Sequence, residues 1–273
     1  MEKVNFTKMV ASGNDFVVVE DRGEKAEVRS LSELARKMCD RKFGIGADGL
    51  LLLGKSKRSD LNMRIFNSDG SEAEMCGNGA RCTAFYVENG RRKAENRIII
   101  ETRAGLIEAY ITGNNVKIKL TDPKDIKSGI PLEINGRSIR VNFINTGVPH
   151  TIIFVEGINK INVGEIGRQV RYHEQFSPQG TNVDFVEILS KDSIKIRTYE
   201  RGVEGETLAC GTGSVASALL YALNSKLHAL REVNVHTESG EILKVYFEKE
   251  GNNFSSVWLE GKAEIVYRGE YYV

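Results

Sequence analysis

Cysteine is scarce in this chain of 273 residues, and the scarcity is informative. Cys39, Cys76, Cys82 and Cys210 are its four. That is too few for a disulfide scaffold, so each is read as a thiol and the expected compartment is a reducing cytoplasm. No Cys-x-x-Cys pair occurs and no histidine lies beside one, which argues against tetrahedral ligation; no metal and no cofactor are expected. Long apolar runs are missing too. Residues 16–19 and 49–53 are strand-sized, far short of the ~20 residues that span a bilayer. The opening Met1-Glu2-Lys3-Val4-Asn5-Phe6 lacks the apolar core of a secretory signal. No membrane partner is therefore expected. Charge of one sign is not in excess: 38 Lys and Arg face 37 Asp and Glu, a formal +1. A broad nucleic-acid surface needs a basic surplus to displace counterions, so no nucleic acid is expected. What remains is 41% hydrophobic and 27% charged residues, the profile of a globular chain. Its length allows one large or two medium domains.

The two halves of the chain can be laid over each other. Gly13-Asn14-Asp15-Phe16-Val17 aligns with Gly147-Val148-Pro149-His150-Thr151. Glu33-Leu34-Ala35-Arg36 aligns with Glu165-Ile166-Gly167-Arg168, and Gly46-Ala47-Asp48 with Gly180-Thr181-Asn182. Further on, Leu61-Asn62-Met63-Arg64-Ile65-Phe66-Asn67 meets Ile194-Lys195-Ile196-Arg197-Thr198-Tyr199-Glu200. Cys76-Gly77-Asn78-Gly79 meets Cys210-Gly211-Thr212-Gly213, and Thr102-Arg103-Ala104-Gly105 meets Thr237-Glu238-Ser239-Gly240. Six matches in one order, with offsets drifting only from 132 to 135, indicate an internal duplication.

Each half reads mostly as short strands bounded by Gly, Asn or Asp, at 17–19, 50–53, 63–66, 98–101 and 116–120. In the second half they fall at 151–155, 183–188, 194–199, 233–237, 242–247 and 257–260. Two helices interrupt each half. Ser30-Leu31-Ser32-Glu33 has the form of a capping box for a helix over 31–40, with its counterpart over 163–172. A second helix follows each Cys-Gly-x-Gly, to about residue 90 and residue 223, and is apolar nearly all round, which means burial. The fold class expected is α+β: two pseudo-symmetric domains from the duplication, each a curled, mostly antiparallel sheet around a buried central helix. The domains are placed at 1–120, joined by 264–273, and at 121–263, with the site in the cleft between them. No Pro/Ser-rich linker separates them, and Thr121-Asp122-Pro123-Lys124-Asp125 is the boundary.

The chemistry is read from the matched cysteines. Glycines after a cysteine let backbone approach a ligand. The first amides of a helix are unpaired and partly positive, so such a site binds carboxylate or phosphate and lowers a nearby thiol pKa. Neither loop ends in the Lys-Ser/Thr of a nucleotide site. A two-fold duplication supplies two such thiols, which suits proton removal from one face of a carbon and proton return to the other. Cys39 and Cys82 have no repeat partner and are assigned to packing. Where the symmetry breaks, Asn67 aligns with Glu200, Asn14 with Val148, Asp48 with Asn182 and Phe16 with His150, which points to an asymmetric ligand. Glu200-Arg201 sets opposite charges at a strand end.

At these residues the chain resembles the diaminopimelate epimerase family. The resemblance is carried by 12–18, Gly44-Ile45-Gly46-Ala47-Asp48-Gly49, the run from Asn67 to Cys82, Pro149-His150, Gly180-Thr181-Asn182-Val183-Asp184-Phe185-Val186 and the run from Thr198 to Gly213. It implies a cofactor-independent epimerase interconverting LL- and meso-2,6-diaminopimelate on the way to lysine and cell wall. It implies Cys76 and Cys210 as the base and acid pair, with His150 and Glu200 tuning the thiols and holding the reacting ammonium group. Gly77, Asn78, Gly211 and Thr212 would give amides to the reacting carboxylate. Asn14, Asn67, Asn182 and Arg201 would hold the distal arm, Arg by its two-pronged fork. Val148 and Val10-Ala11-Ser12 depart from the family's usual residues and bear on the substrate arm. The resemblance also implies a possible homodimer. Two other readings stay open on the residues themselves: another two-cysteine racemase or fold-mate isomerase, and a dithiol redox or amino-acid-binding protein.

Overall fold

A computed structural model describes residues 3–21, 31–90, 96–225 and 229–272. The chain divides into two compact units, Met1–Ile118 with Gly261–Val273, and Lys119–Glu260. In chain order the elements are β1 (Lys3–Ala11), β2 (Asn14–Glu20), α1 (Leu31–Cys39), β3 (Gly49–Gly54), β4 (Leu61–Asn67), β5 (Glu72–Ala73), α2 (Gly77–Gly90), β6 (Arg97–Thr102), β7 (Gly105–Thr112) and β8 (Asn115–Lys119). Then follow β9 (Lys124–Ile134), β10 (Arg137–Asn145), β11 (Pro149–Phe154), α3 (Val163–Arg171), β12 (Asn182–Ser190), β13 (Ser193–Glu200), β14 (Gly205–Thr207), α4 (Gly211–Asn224), β15 (Glu232–His236), β16 (Ile242–Glu250) and β17 (Asn253–Lys262). The last strand, β18 (Glu264–Tyr272), belongs to the first unit.

In the first unit β1 pairs antiparallel with β18 and β2, β2 runs parallel to β3, and β3 pairs antiparallel with β4. β4 holds β5 antiparallel and β6 parallel, and β7 and β8 complete a meander. In the second unit β10 pairs antiparallel with β9 and β11, β11 runs parallel to β12, and β12 pairs antiparallel with β13. β13 holds β14 antiparallel and β15 parallel, and β16 and β17 follow. The two sequences of pairings match step for step. One place differs in origin: the outer partner of β1 is the chain's last strand, whereas the outer partner of β10 is its own preceding hairpin strand. β18 pairs along nearly the whole of β1. Both units are α+β, each a mostly antiparallel curled sheet about a buried helix.

Register is conserved along with topology. Leu51 lies opposite Ile65 and beside Val18, and Asp184 lies opposite Thr198 and beside Ile152. Since side chains alternate faces with period two, Leu51 and Asp184 occupy equivalent interior positions.

The helices follow from their patterns. α1 buries Leu34, Ala35, Met38 and Cys39 against Phe6, Val17, Leu50 and Phe66, and its other face is polar. α3 buries Val163, Gly167 and Val170 against Val183, Phe185 and Tyr199. Its cap is Asn162, whose side chain accepts from Glu165 N. For α1, Ser30 of the expected capping box lies outside the described residues. α2 and α4 are 14 residues each and are buried on all sides through 78–85 and 213–222. Strands β1, β5, β7, β9, β10 and β14 lie outside the expected ones. β9 buries only Leu132 and Ile134 of eleven residues, so its sequence shows no sustained alternation.

α3 crosses its sheet at a glycine. A Cβ on Gly167 would stand 2.5 Å from Tyr199 Cβ, whereas the equivalent residue of α1 is the fully buried Ala35. Gly167→Ala is expected to lower stability by about 1–3 kcal/mol through overpacking, read as a fall in Tm. An unchanged Tm would show that α3 can lift off Tyr199 without loss.

Candidate active site

Cys210 is the N-cap residue of α4, held extended at φ −121°, ψ 114°, with its sulfur accepting from Gly213 N at 3.4 Å. The first intrahelical bond is Ser214 N to Cys210 O, 2.9 Å, so the amides of Gly211 and Thr212 precede the helical ladder. The strand before the cysteine is anchored by Arg197, which grips Glu206 with two bonds of 2.6 and 2.8 Å. Arg64 grips Glu72 in the same way in the first unit, at 2.8 and 3.0 Å. The acidic residue before each cysteine is therefore a strut.

β11, β12 and β13 bring His150, Asn182, Asp184, Thr198 and Glu200 to one sheet face. His150 and Asp184 are both fully buried, with Nδ1 and Oδ2 2.7 Å apart. The other nitrogen, Nε2, lies 3.0 Å from Thr212 Oγ1, and that hydroxyl lies 3.4 Å from Cys210 Sγ. Thr198 donates to Asp184 Oδ1 at 2.7 Å. A Cβ on Gly213 would sit 2.4 Å from that same oxygen. The second glycine of Cys-Gly-x-Gly is thus demanded by a carboxylate packed against the helix start.

Burial and the nearby carboxylates reverse one sequence expectation. Burial, then the negative charges of Glu200 and Asp184, push the Cys210 thiol well above its ordinary range, against the opposing pull of Thr212 and the Gly213 amide. These effects outweigh the helix start and favour the thiol form of Cys210. Burial also raises the Glu200 carboxyl, opposed by Thr207 and by His150. Arg201 does not pair with Glu200 but donates through Nη1 to Gln179 O at 3.1 Å. Asn182 uses both polar ends internally: Oδ1 accepts from Arg201 N at 2.8 Å and Nδ2 donates to Pro149 O at 3.1 Å.

In the first unit Cys76 is half-buried and precedes α2, where Ala80 N bonds Cys76 O at 2.9 Å. Asn78 donates to Asn14 Oδ1 at 2.6 Å, and Asn14 donates to Asp48 at 3.0 Å. The fully buried Arg81 donates to Asn78 Oδ1 and Ser12 Oγ, both at 2.6 Å, and to Lys262 O at 3.0 Å. Ser12, one of the departures from the family's residues, is thus part of this brace. Asn67 is exposed at the turn beside Gly49 and donates to Ser71 Oγ at 2.9 Å. Gly77 opens α2 beside Asn78. Gly44 and Gly46 close the turn after α1, where Gly46 N bonds Met38 O at 3.0 Å. Cys39 and Cys82 are buried, and burial raises Cys39 to about 11. Among the described residues no group of His, Cys, Asp and Glu is suited to a metal ion, and no helix is long and apolar enough to cross a membrane.

Asp184, Thr198, Arg81 and Asp15 went unremarked in sequence. For Asp184 and Thr198 the duplication itself held the signal, because they align with the apolar Leu51 and Ile65. Asp15 ties Lys8 at 2.7 Å and Arg41 at 2.8 Å. Burial alone would raise its carboxyl, but the Arg41 and Lys8 hydrogen bonds and the Lys8 charge hold it well below the ordinary range. A lowered folded pKa gives stability that is full above the unfolded value of about 3.9 and is lost as pH falls through the folded one. Asp15→Asn also strands the nearly buried Lys8, at a cost of about 3 kcal/mol near pH 7. The gap to the unsubstituted protein should narrow below about pH 4; denaturant melts at both pH values check it, and a gap independent of pH would refute it.

The comparisons with known proteins follow this geometry. The family model described as diaminopimelate epimerase matches residues 6–125 and again 142–266, once in each half. A diaminopimelate epimerase of Aquifex aeolicus is 45% identical, covering 97% of both chains. One from Caldanaerobacter subterraneus subsp. tengcongensis is 43% identical over 98% of this chain and 99% of its own. Among solved structures, a phenazine biosynthesis protein of the PhzF family from Bacillus anthracis shares the fold, with TM-score 0.78 at 18% identity over all of both chains. A hydroxyproline epimerase from Agrobacterium vitis does so with TM-score 0.71 at 15% identity, covering 98% of this chain and 92% of its own. A model matched twice and relatives alike from end to end leave one conclusion: the chain belongs to the diaminopimelate epimerase family.

Proposed function

We infer that the protein interconverts LL- and meso-2,6-diaminopimelate without a cofactor, with Cys76 and Cys210 acting on opposite faces of one α-carbon. The observation that carries this is the pair of cysteines standing at equivalent starts of two equivalent 14-residue buried helices. One sulfur, as thiolate, takes the α-proton; the other, as thiol, delivers one to the opposite face, and the roles exchange when the reaction runs back. The raised Cys210 thiol suits the donor role in the direction that Cys76 opens. As the proton leaves, charge builds on the substrate carboxylate. The amides of Gly77, Asn78, Gly211 and Thr212 are suited to receive it, each such donor being worth about 3 kcal/mol in the transition state. Glu200 would hold the reacting ammonium group, while His150, whose two ring nitrogens face Asp184 and Thr212, would act on the Cys210 thiol. Asn14, Asn67 and Arg201 would grip the arm that is not inverted, with Asn182 bracing the Arg201 backbone. Working thiols need a reducing compartment, which fits a cytoplasmic enzyme.

Incubation of LL-diaminopimelate with the protein in deuterated water should place deuterium at the α-carbon. Cys76→Ala and Cys210→Ala should each slow turnover at least ~10²-fold. Incorporation that neither substitution affects would remove the two-thiol assignment. Arg201→Ala should raise KM about tenfold or more with kcat nearly kept, as loss of uniform binding does. An unchanged KM would put the distal arm elsewhere.

A further inference from the structure

The duplication provides an internal control for the buried polar cluster beside Cys210. In the first unit the positions equivalent to His150, Asp184 and Thr198 hold Phe16, Leu51 and Ile65, all buried. Strand pairing and register are the same in both units. The scaffold therefore packs these three positions with hydrocarbon alone. In the second unit the same positions hold a carboxylate, an imidazole and a hydroxyl, buried just as fully. Burying such groups is unfavourable unless each is paired. Here each is, in one chain: Thr198 to Asp184, Asp184 to His150, His150 to Thr212, Thr212 to Cys210.

We propose that Asp184 is a positioning residue that fixes His150 with its proton on Nδ1, and that the Thr212 hydroxyl relays the proton between His150 Nε2 and Cys210. The inference rests on the two-thiol reading and names how one of its thiols is charged and discharged. A carboxylate only accepts hydrogen bonds, and Asp184 already takes one from Thr198. His150 Nδ1 must then be the donor, at 2.7 Å. Nε2 is left as the acceptor for the Thr212 hydroxyl, at 3.0 Å, and the thiol in turn donates to Thr212 Oγ1, at 3.4 Å. In the step, the S–H bond of Cys210 breaks and an O–H bond forms on Thr212. Thr212's former O–H breaks as N–H forms on Nε2. One proton has moved, no electrons have left, and the products are a thiolate and an imidazolium. The thiolate faces the Gly213 amide, and the imidazolium faces Asp184. The reverse passage restores the thiol. Glu200 is the other carboxylate whose charge bears on Cys210.

The test combines nitrogen-15 NMR of His150 with steady-state kinetics on diaminopimelate. The unsubstituted protein should show His150 protonated on Nδ1. In Asp184→Asn the side-chain amide can turn its NH₂ to the ring, so the proton should move to Nε2. There kcat should fall about 10²-fold, as removal of an orienting partner does, with KM within about threefold. Thr212→Ser should keep kcat within about threefold, and Thr212→Val should lose about 10²-fold. The proposal is overturned by an Nε2-protonated His150 in the unsubstituted protein, by an unchanged kcat in Asp184→Asn, or by Thr212→Val matching Thr212→Ser. The Thr212 pair stands even where Asp184→Asn fails to fold. Absence of any turnover in the unsubstituted protein would refute the epimerase reading, while the nitrogen shifts would still decide the tautomer.

Discussion

A helix buried on every side is stable only when a surrounding layer packs its apolar groups and pairs its few polar ones. Through 78–85 and 213–222 this chain presents such helices, and each unit solves the problem by wrapping its own sheet around one. Enclosure leaves the helix ends as the places where backbone polarity is not already spent. The first amides of α2 and α4 lie before the intrahelical ladder, beside a cysteine. The glycines at these ends have separate physical causes. In α4 a Cβ at Gly213 would collide with Asp184, and in α2 one at Gly79 would press on Leu51 at 3.1 Å.

The contrast between those two neighbours carries most of the functional information. Leu51 and Asp184 sit at one register position of a repeated frame, yet one is hydrocarbon and the other is a carboxylate. A frame that packs with Leu has no structural need of Asp, whose burial is costly unless it is paired. The same holds for Phe16 against His150 and for Ile65 against Thr198. The first unit spends its polar residues differently, on the linked set Arg81, Asn78, Asn14, Asp48, Arg41, Asp15 and Lys8. There the amide groups of Asn14 and Asn78 are locked by each other before any ligand arrives. Such preorganisation keeps the cost of orienting them out of the binding step. Lys8 also bonds the carbonyl of Gly46, tying β1 to the turn after α1.

Two opposing effects act on the Cys210 sulfur, and their balance is decided by depth. The helix start and the Thr212 hydroxyl favour a thiolate. Burial and the charges of Glu200 and Asp184 favour a thiol and win. A helix N-terminus favours a thiolate less than deep burial beside two carboxylates favours the thiol.

Sequence alone determined the duplication, the two buried helices and the sites of the two thiols, because these are written in short local patterns: apolar runs, Cys-Gly-x-Gly, and six matches at nearly one offset. It also exposed His150 and Glu200 as breaks in the repeat. Strands such as β9 stayed illegible because so little of their length is buried that no alternation survives. Asp184 has no local signature of its role, since a lone acidic residue in a strand reads as solvent-facing. Only the tertiary structure decided that it is buried, that Gly213 makes room for it, and that Asn182 and Glu206 are braces. Those outcomes depend on contacts between residues far apart in the chain, and on the desolvation such contacts bring, neither of which has a local signature in the sequence.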